Sequence, residues 1–284
     1  MKSYLSYIGS ILVLVGIYFV YHRFVGYFNE INSIELFSWS FLITLIGSSI
    51  FYAIINIFLV MGWRHILDIY AVNISIRTAF KIYSSSQLAK YVPGNIFHLA
   101  GRQVISMRFG LPAKPVMKSI VAELICLIIT GALFSLWYLP YIFTKVSIKD
   151  VIGLFAVVLS VAAYLVIKFN YQKWFFIIIH QSFFLIFSGL IFYIIIIQID
   201  SHQFELSNMV VVVSTYIAAW LIGMITPGAP AGVGVREAIL LFLLYMFSPA
   251  NVLIAIVYSR IVTILGDFIF YVVSYVVKVK SDEL

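Results

Sequence analysis

Arg102, Glu123, Arg236 and Arg260 are ionisable residues set in or beside strongly apolar stretches. A guanidinium or carboxylate in such surroundings is costly unless it faces a polar cavity, a partner or a bound ion. Arginine presents a planar fork of donors that suits a phosphate oxygen pair. Arg102 and Arg236 each follow a Pro-Gly pair, and the backbone N–H groups exposed at a Gly-rich turn add anion affinity. The two arginines are therefore candidates for phosphate contact; the alternative is that each ties its own loop together through backbone carbonyls. Glu123 and Arg260 lie well inside apolar segments, and a buried unpaired charge is strongly disfavoured. They are expected to pair with each other, directly or through a ligand. Asp267, seven residues beyond Arg260 and on the same helical face, is the rival partner. Glu237 abuts Arg236 and is expected to balance it or to meet a cationic ligand group.

Lys90 and Gln87, with Ser84, Ser85 and Ser86, make one segment unusually hydrophilic. They suit a water-lined path, or hydrogen-bonded glue between helices. His98 is a candidate for titration near neutral pH, against the plainer expectation of a bond to backbone. His180 and Gln181 sit inside an apolar run, where one buried hydrogen bond explains them. The one cysteine, Cys126, excludes a disulfide within the chain and a thiolate metal site. There is no Asp-x-Asp, His-Glu-x-x-His, Gly-x-Ser-x-Gly or P-loop pattern. No catalytic residue, metal or cofactor is expected, and the chain does not read as an enzyme.

The elements that must hold these residues are membrane helices. Only 10% of the 284 residues are charged, 63% are hydrophobic, and the mean hydropathy is +1.09. A soluble domain carries about 25% charged residues, so an all-α polytopic integral membrane protein remains. Candidate spans are 4–22, 36–62, 116–140, 151–168, 175–198 and 251–277, which leave residues 1–284 as a single membrane domain. The run from Leu5 to Tyr21 is expected to be a retained first span, not a cleaved signal. The terminal Ser281-Asp282-Glu283-Leu284 looks like a retrieval signal, but a cytoplasmic C-terminus makes that a coincidence. The aromatic content, 17%, fits interfacial belts and lipid-facing packing.

Two stretches break the span pattern. Residues 76–110 are polar but keep helical apolar spacing as far as Tyr91, and 209–249 are two apolar pieces. Each contains Pro-Gly, seven residues, Arg, then Gln or Glu: Pro93-Gly94 to Arg102-Gln103, and Pro227-Gly228 to Arg236-Glu237. The turns would be built by Pro93, Gly94, Asn95 and Gly101 in one copy and by Pro227, Gly228, Gly232 and Gly234 in the other. Pro and Gly free backbone groups that lipid cannot satisfy, so such breaks survive only inside protein or beside a wet cavity. The expectation is an inverted repeat, 4–140 and 151–277. Each half has three spans and one re-entrant hairpin, about eight membrane segments in all. Cation placement sets the orientation. With both termini cytoplasmic, Lys2, the cations from Arg64 to Lys118, Lys168, Lys173, Lys278 and Lys280 fall inside. Only Arg23, Lys145, Lys149 and Arg236 fall outside. The cell (plasma or cytoplasmic) membrane is the expected location. The +7 net charge implies contact with anionic lipid, and the scattered cations give no nucleic-acid footprint.

The run Gln87-Leu88-Ala89-Lys90-Tyr91-Val92-Pro93-Gly94-Asn95 with Gly101-Arg102 resembles the lysylphosphatidylglycerol synthase transmembrane-domain, or flippase-like, family. So do the span glutamate Glu123, the segment Gly232-Val233-Gly234-Val235-Arg236-Glu237-Ala238, and Arg260 with Gly266-Asp267. The resemblance covers nearly the whole chain. It implies movement of a polar or charged lipid (aminoacylated, anionic or glycosylated) between leaflets. Arg102 and Arg236 would then sit on the phosphate, Glu123 and Glu237 on a cationic headgroup, and Lys90 and Arg260 in the same site. The family's soluble aminoacyl-transferase domain has no counterpart here, so lipid synthesis is not expected. Membrane lipids are the expected partners; a lipid-modifying enzyme or glycosyltransferase and a homo-oligomer are compatible with the reading. A membrane-embedded enzyme or accessory of lipid-linked glycan synthesis, and a non-transporting scaffold, are the alternatives.

Overall fold

A computed structural model describes residues 38–91, 97–143, 145–169, 171–199, 205–226 and 232–276. The expected first span, 4–22, lies outside these residues, as do Pro93, Gly94, Asn95, Pro227 and Gly228. The described residues form helices and no strand. In chain order they are α1 (Trp39–Ile69), α2 (Ile76–Gln87), α3 (Phe97–Arg108), α4 (Ala113–Ser135), α5 (Leu139–Ile142), α6 (Ile148–Phe169), α7 (Gln172–Ile199), α8 (Leu206–Ile225), α9 (Val235–Leu243) and α10 (Pro249–Val276). A 3₁₀ turn, Leu88–Tyr91, follows α2, and another, Leu136–Tyr138, joins α4 to α5.

Among the described residues six helices are long and apolar enough to cross a membrane: Trp39–Ile69, Ala113–Ile142, Ile148–Lys168, Gln172–Ile199, Leu206–Ile225 and Pro249–Val276. The chain is therefore a multi-pass membrane protein. The helix expected over 36–62 runs on to Ile69, because its end is set by backbone geometry and not by loss of hydropathy. Ala71 has φ 59°, the left-handed conformation, and Val72 N–H donates to the Leu67 carbonyl at 2.9 Å, closing a Schellman turn. A like turn ends α3, with Gly110 at φ 79° and Leu111 N–H on the Ser106 carbonyl at 3.1 Å. The second interrupted stretch also departs from expectation. Its first limb, α8, has 20 residues, about 30 Å, which matches the hydrocarbon core by itself. Its second limb, α9, has nine. The 12-residue helices α2 and α3 are each about 18 Å long and too short to cross.

Between membrane helices, packing and hydrogen bonds replace the hydrophobic drive. α1 is the centre of the bundle, packed on α7, α10, α2 and α4, with Trp63, Phe184, Phe192 and Phe270 fully buried around it. Gly266 lets α10 lie directly on α1: a Cβ there would meet Tyr52 Cδ1 at 2.7 Å and the Ser49 carbonyl at 2.9 Å. The Tyr258 hydroxyl fastens α10 to the start of α1 through the Phe41 carbonyl, and the Tyr138 hydroxyl fastens the end of α9 through the Leu243 carbonyl. α6 stands apart, with 6% of its apolar window buried against 44–61% in the other five.

Candidate functional site

Every helix that carries one of the singled-out charges ends up against the same small cavity. α2 starts at Ser75, whose hydroxyl accepts the Thr78 N–H at 3.1 Å. It buries Ala79, Ile82, Tyr83, Ser86 and Gln87 along one face. That face delivers Tyr83 and Gln87 to the cavity, and the following 3₁₀ turn delivers Lys90. α3 brings His98 and Arg102, α4 brings Glu123, α9 brings Arg236 and α10 brings Arg260. Tyr52 and Asn56 of α1, Phe184 of α7 and Trp220 of α8 complete the wall. The volume is about 90 Å³. That is far below the roughly 300–1,000 Å³ of a pocket for a whole drug-sized ligand, so it admits a ligand fragment only.

The charges are sorted into three ion pairs. Arg102, 2% exposed, donates from Nη1 to Glu123 Oε2 and from Nε to Ser86 Oγ at 3.4 Å. Its guanidinium lies 3.7 Å above the Tyr83 ring and 5.3 Å from the Trp63 ring, a cation–π seat. The Tyr83 hydroxyl donates to the other Glu123 oxygen at 2.9 Å, so both carboxylate oxygens are engaged. Glu237 Oε1 accepts from Arg260 Nε at 2.7 Å and lies 2.5 Å from its Nη2, while Oε2 accepts the Gly234 N–H at 2.6 Å. Asp267, wholly buried, holds Lys90 Nζ at 2.5 Å.

These pairings correct three expectations. Glu123 pairs with Arg102 and not with Arg260, because α3 lies against α4 and reaches the acid first. Glu237 neutralises Arg260 and not its neighbour Arg236, because consecutive helical residues face different ways. Asp267 meets Lys90, because α10 packs on α2 and on the 3₁₀ turn that carries the lysine. Arg102 and Arg260 thus balance the charges of Glu123 and Glu237 within the bundle. Two of the ties match with the charges exchanged: short-helix Arg102 to span Glu123, and short-helix Glu237 to span Arg260.

Arg236 is the exception. It is 6% exposed, its guanidinium lies 4.4 Å from the Tyr216 ring, and Nη2 has no hydrogen-bond partner among the described residues. Two further buried atoms of the cavity wall share that condition, Asn56 Oδ1 and His98 Nδ1. Burial, with Arg102 and Lys90 adding, pushes the His98 imidazole down to a pKa of about 3. It is thus neutral at physiological pH and does not titrate there.

The glycines divide. Gly232 (φ +72°) and Gly234 (φ +85°) require left-handed backbone, and a Cβ on Gly232 would lie 3.0 Å from Gly223 Cα. Gly101 is helical, and a Cβ there would meet only Ala89 Cβ at 3.9 Å, so neither backbone nor space demands glycine. The serines stand away from the cavity. Ser84 and Ser86 donate to the Lys81 and Tyr83 carbonyls at 3.2 and 2.7 Å, and Ser85 is half-buried outside the lining. Gln181 Nε2 donates to the Glu123 carbonyl at 3.2 Å.

Sequence reasoning missed Asn56, Tyr52, Tyr83 and Tyr216. Asn56 had a signal, as a lone amide inside an apolar span. The tyrosines had none, because aromatic content reads equally as interfacial belts. Among the described residues no group of three or more His, Cys, Asp or Glu is placed to hold a metal. Compared with models of known protein families, with curated proteins and with solved structures, the chain has no match.

Proposed function

We propose that this chain translocates a polar or charged lipid between leaflets, as its resemblance to the flippase-like family implies. The observation that carries the reading is the cavity itself. It is buried in the bundle and lined by Lys90, Arg102 and Glu123 from the first proposed repeat and by Arg236 and Arg260 from the second. Ionisable groups so placed in a membrane protein mark a substrate path by default. The charge-exchanged ties of the two halves, each from a short helix beside a Pro-Gly break, are what an inverted repeat would leave. Sites at repeat interfaces between broken helices are the habit of secondary transporters. The small volume fits a headgroup fragment, with acyl chains remaining in lipid. On this reading the N- and C-termini are cytoplasmic, the location is the cell membrane, and no cofactor is needed.

The test is the purified chain in liposomes carrying headgroup-labelled lipids, scored by accessibility to an impermeant quencher. Loss of label protection that depends on the protein, and its disappearance in Arg236→Ala, is the expected result. No movement across a panel of anionic, aminoacylated and glycosylated lipids overturns the proposal and leaves an accessory or scaffold role.

A further inference from the structure

We infer that the cavity selects a headgroup with a single phosphate negative charge and neutral hydroxyls, and discriminates against headgroups bearing an amine. The inference rests on the lipid reading above and narrows its substrate class.

Charge balance is the first support. Four cations and three carboxylates gather at the cavity, and each carboxylate already faces a cation. Among the described residues Arg236 has no carboxylate within ion-pair distance, and it carries the excess charge of this set. A buried guanidinium without a counter-charge is strongly disfavoured, and one phosphodiester anion balances it. The Tyr216 ring holds the guanidinium plane, leaving Nη2 as a donor with nothing to meet among the described residues. A planar donor edge of this kind suits a phosphate oxygen.

The second support is independent of charge. Asn56 is wholly buried, and its Nδ2 is spent on the Tyr52 carbonyl at 2.8 Å, so its side chain is held with Oδ1 unmatched. His98 is neutral, and its unmatched Nδ1 is a second acceptor when the ring proton is on Nε2. Buried acceptors without donors are rare and call for a partner. Glycerol- or sugar-type hydroxyls are neutral donors of the required kind. An ammonium would also donate, but it would enter beside Lys90, Arg102, Arg236 and Arg260, with the charges of Glu123 and Glu237 already balanced by Arg102 and Arg260. The cavity therefore discriminates by like-charge repulsion as well as by attraction.

The test is equilibrium binding to the detergent-purified full chain, read from the fluorescence of Trp220 in the cavity wall and from thermal shift. The probes are dihexanoyl-phosphatidylglycerol, its lysyl ester, dihexanoyl-phosphatidylcholine, dihexanoyl-phosphatidylmethanol, glycerol 3-phosphate and inorganic phosphate. Phosphatidylglycerol is expected to bind at least tenfold tighter than the lysyl ester or phosphatidylcholine. Arg236→Gln is expected to lower that affinity tenfold or more, and Arg236→Lys, which keeps the charge and the fold, to fall between. Asn56→Leu is expected to erase the preference for phosphatidylglycerol over phosphatidylmethanol. Equal or tighter binding of an amine-bearing probe overturns the inference, as does unchanged binding in Arg236→Gln or in Arg236→Lys where only the latter folds. Inorganic phosphate or glycerol 3-phosphate binding as tightly as the lipid would make this a site for soluble anions and overturn the lipid assignment. Binding in detergent requires no transport. Selective binding without flipping sinks only the translocation reading, and flipping without headgroup preference sinks only this one.

Discussion

Removing the carboxylate of Glu123 is expected to be among the costliest single changes in this bundle. Arg102 is 2% exposed, and Glu123 supplies its counter-charge while the Tyr83 hydroxyl holds the second carboxylate oxygen. In Glu123→Gln the amide still accepts a hydrogen bond, but the guanidinium is left buried without an opposing charge. Breaking one side of a buried pair costs about 3–5 kcal/mol. At about 2–3 °C per kcal/mol for a chain of this size, the melting midpoint falls by about 6–15 °C. Arg102→Met alone strands the carboxylate instead and is expected to cost a similar amount. The double variant Arg102→Met with Glu123→Leu removes both charges and refills the space. Apolar replacement of a whole buried pair is often neutral, so it is expected to melt within a few degrees of the parent. Tyr83→Phe deletes one hydrogen bond to a charged group, about 1.5–3 kcal/mol, and is expected to lie between parent and Glu123→Gln. The assay is thermal unfolding of detergent-purified protein followed by intrinsic fluorescence. The reasoning fails if Glu123→Gln melts within 2 °C of the parent, or if the double variant is no more stable than either single one.

Three further outcomes follow from individual contacts. Ala71 adopts φ 59° at the end of α1, so Ala71→Gly is expected to stabilise by about 1 kcal/mol, the left-handed strain of about 1–2 less glycine's added chain entropy; a lowered midpoint would refute the turn assignment. Gly266→Ala places a methyl group 2.9 Å from the Ser49 backbone oxygen, which cannot swing away; an overpacking cost of about 1–3 kcal/mol is expected in the melt, and an unchanged midpoint would mean that α10 does not lie so close to α1. His98 has a folded pKa of about 3, below its ordinary value near 6.5. The unfolded chain therefore binds more protons between these values, and stability present above pH 6.5 is lost as pH falls. Between pH 7 and 5 the loss is about 2 kcal/mol at this one group. Midpoints of the parent and of His98→Leu measured across that range are expected to diverge towards acid, with the variant losing less.

The sequence by itself determined the class of the protein, the approximate place of five of the six long helices among the described residues, and the residues worth testing. Those inferences depend on local quantities: hydropathy summed over a window, the inability of Pro and Gly to continue a helix, and the cost of a charge in an apolar run. Helix ends were less legible, since α1 continues through Arg64, His65 and Asp68 until Ala71 turns the backbone. Partner choice was not legible at all. Glu123 and Arg260 looked equivalent by position within the proposed repeats, yet each is claimed by a charge on a nearer short helix, Arg102 and Glu237. Adjacent Arg236 and Glu237 looked like a self-neutralising pair, yet they part because successive helical side chains point about 100° apart. Tyrosines that composition assigned to the membrane interface sit beneath the guanidinium groups instead. Only the tertiary structure could decide which of four cations has no carboxylate beside it among the described residues. That depends on distances between segments whose packing no local window contains, and the answer, Arg236, is the residue on which the headgroup inference turns.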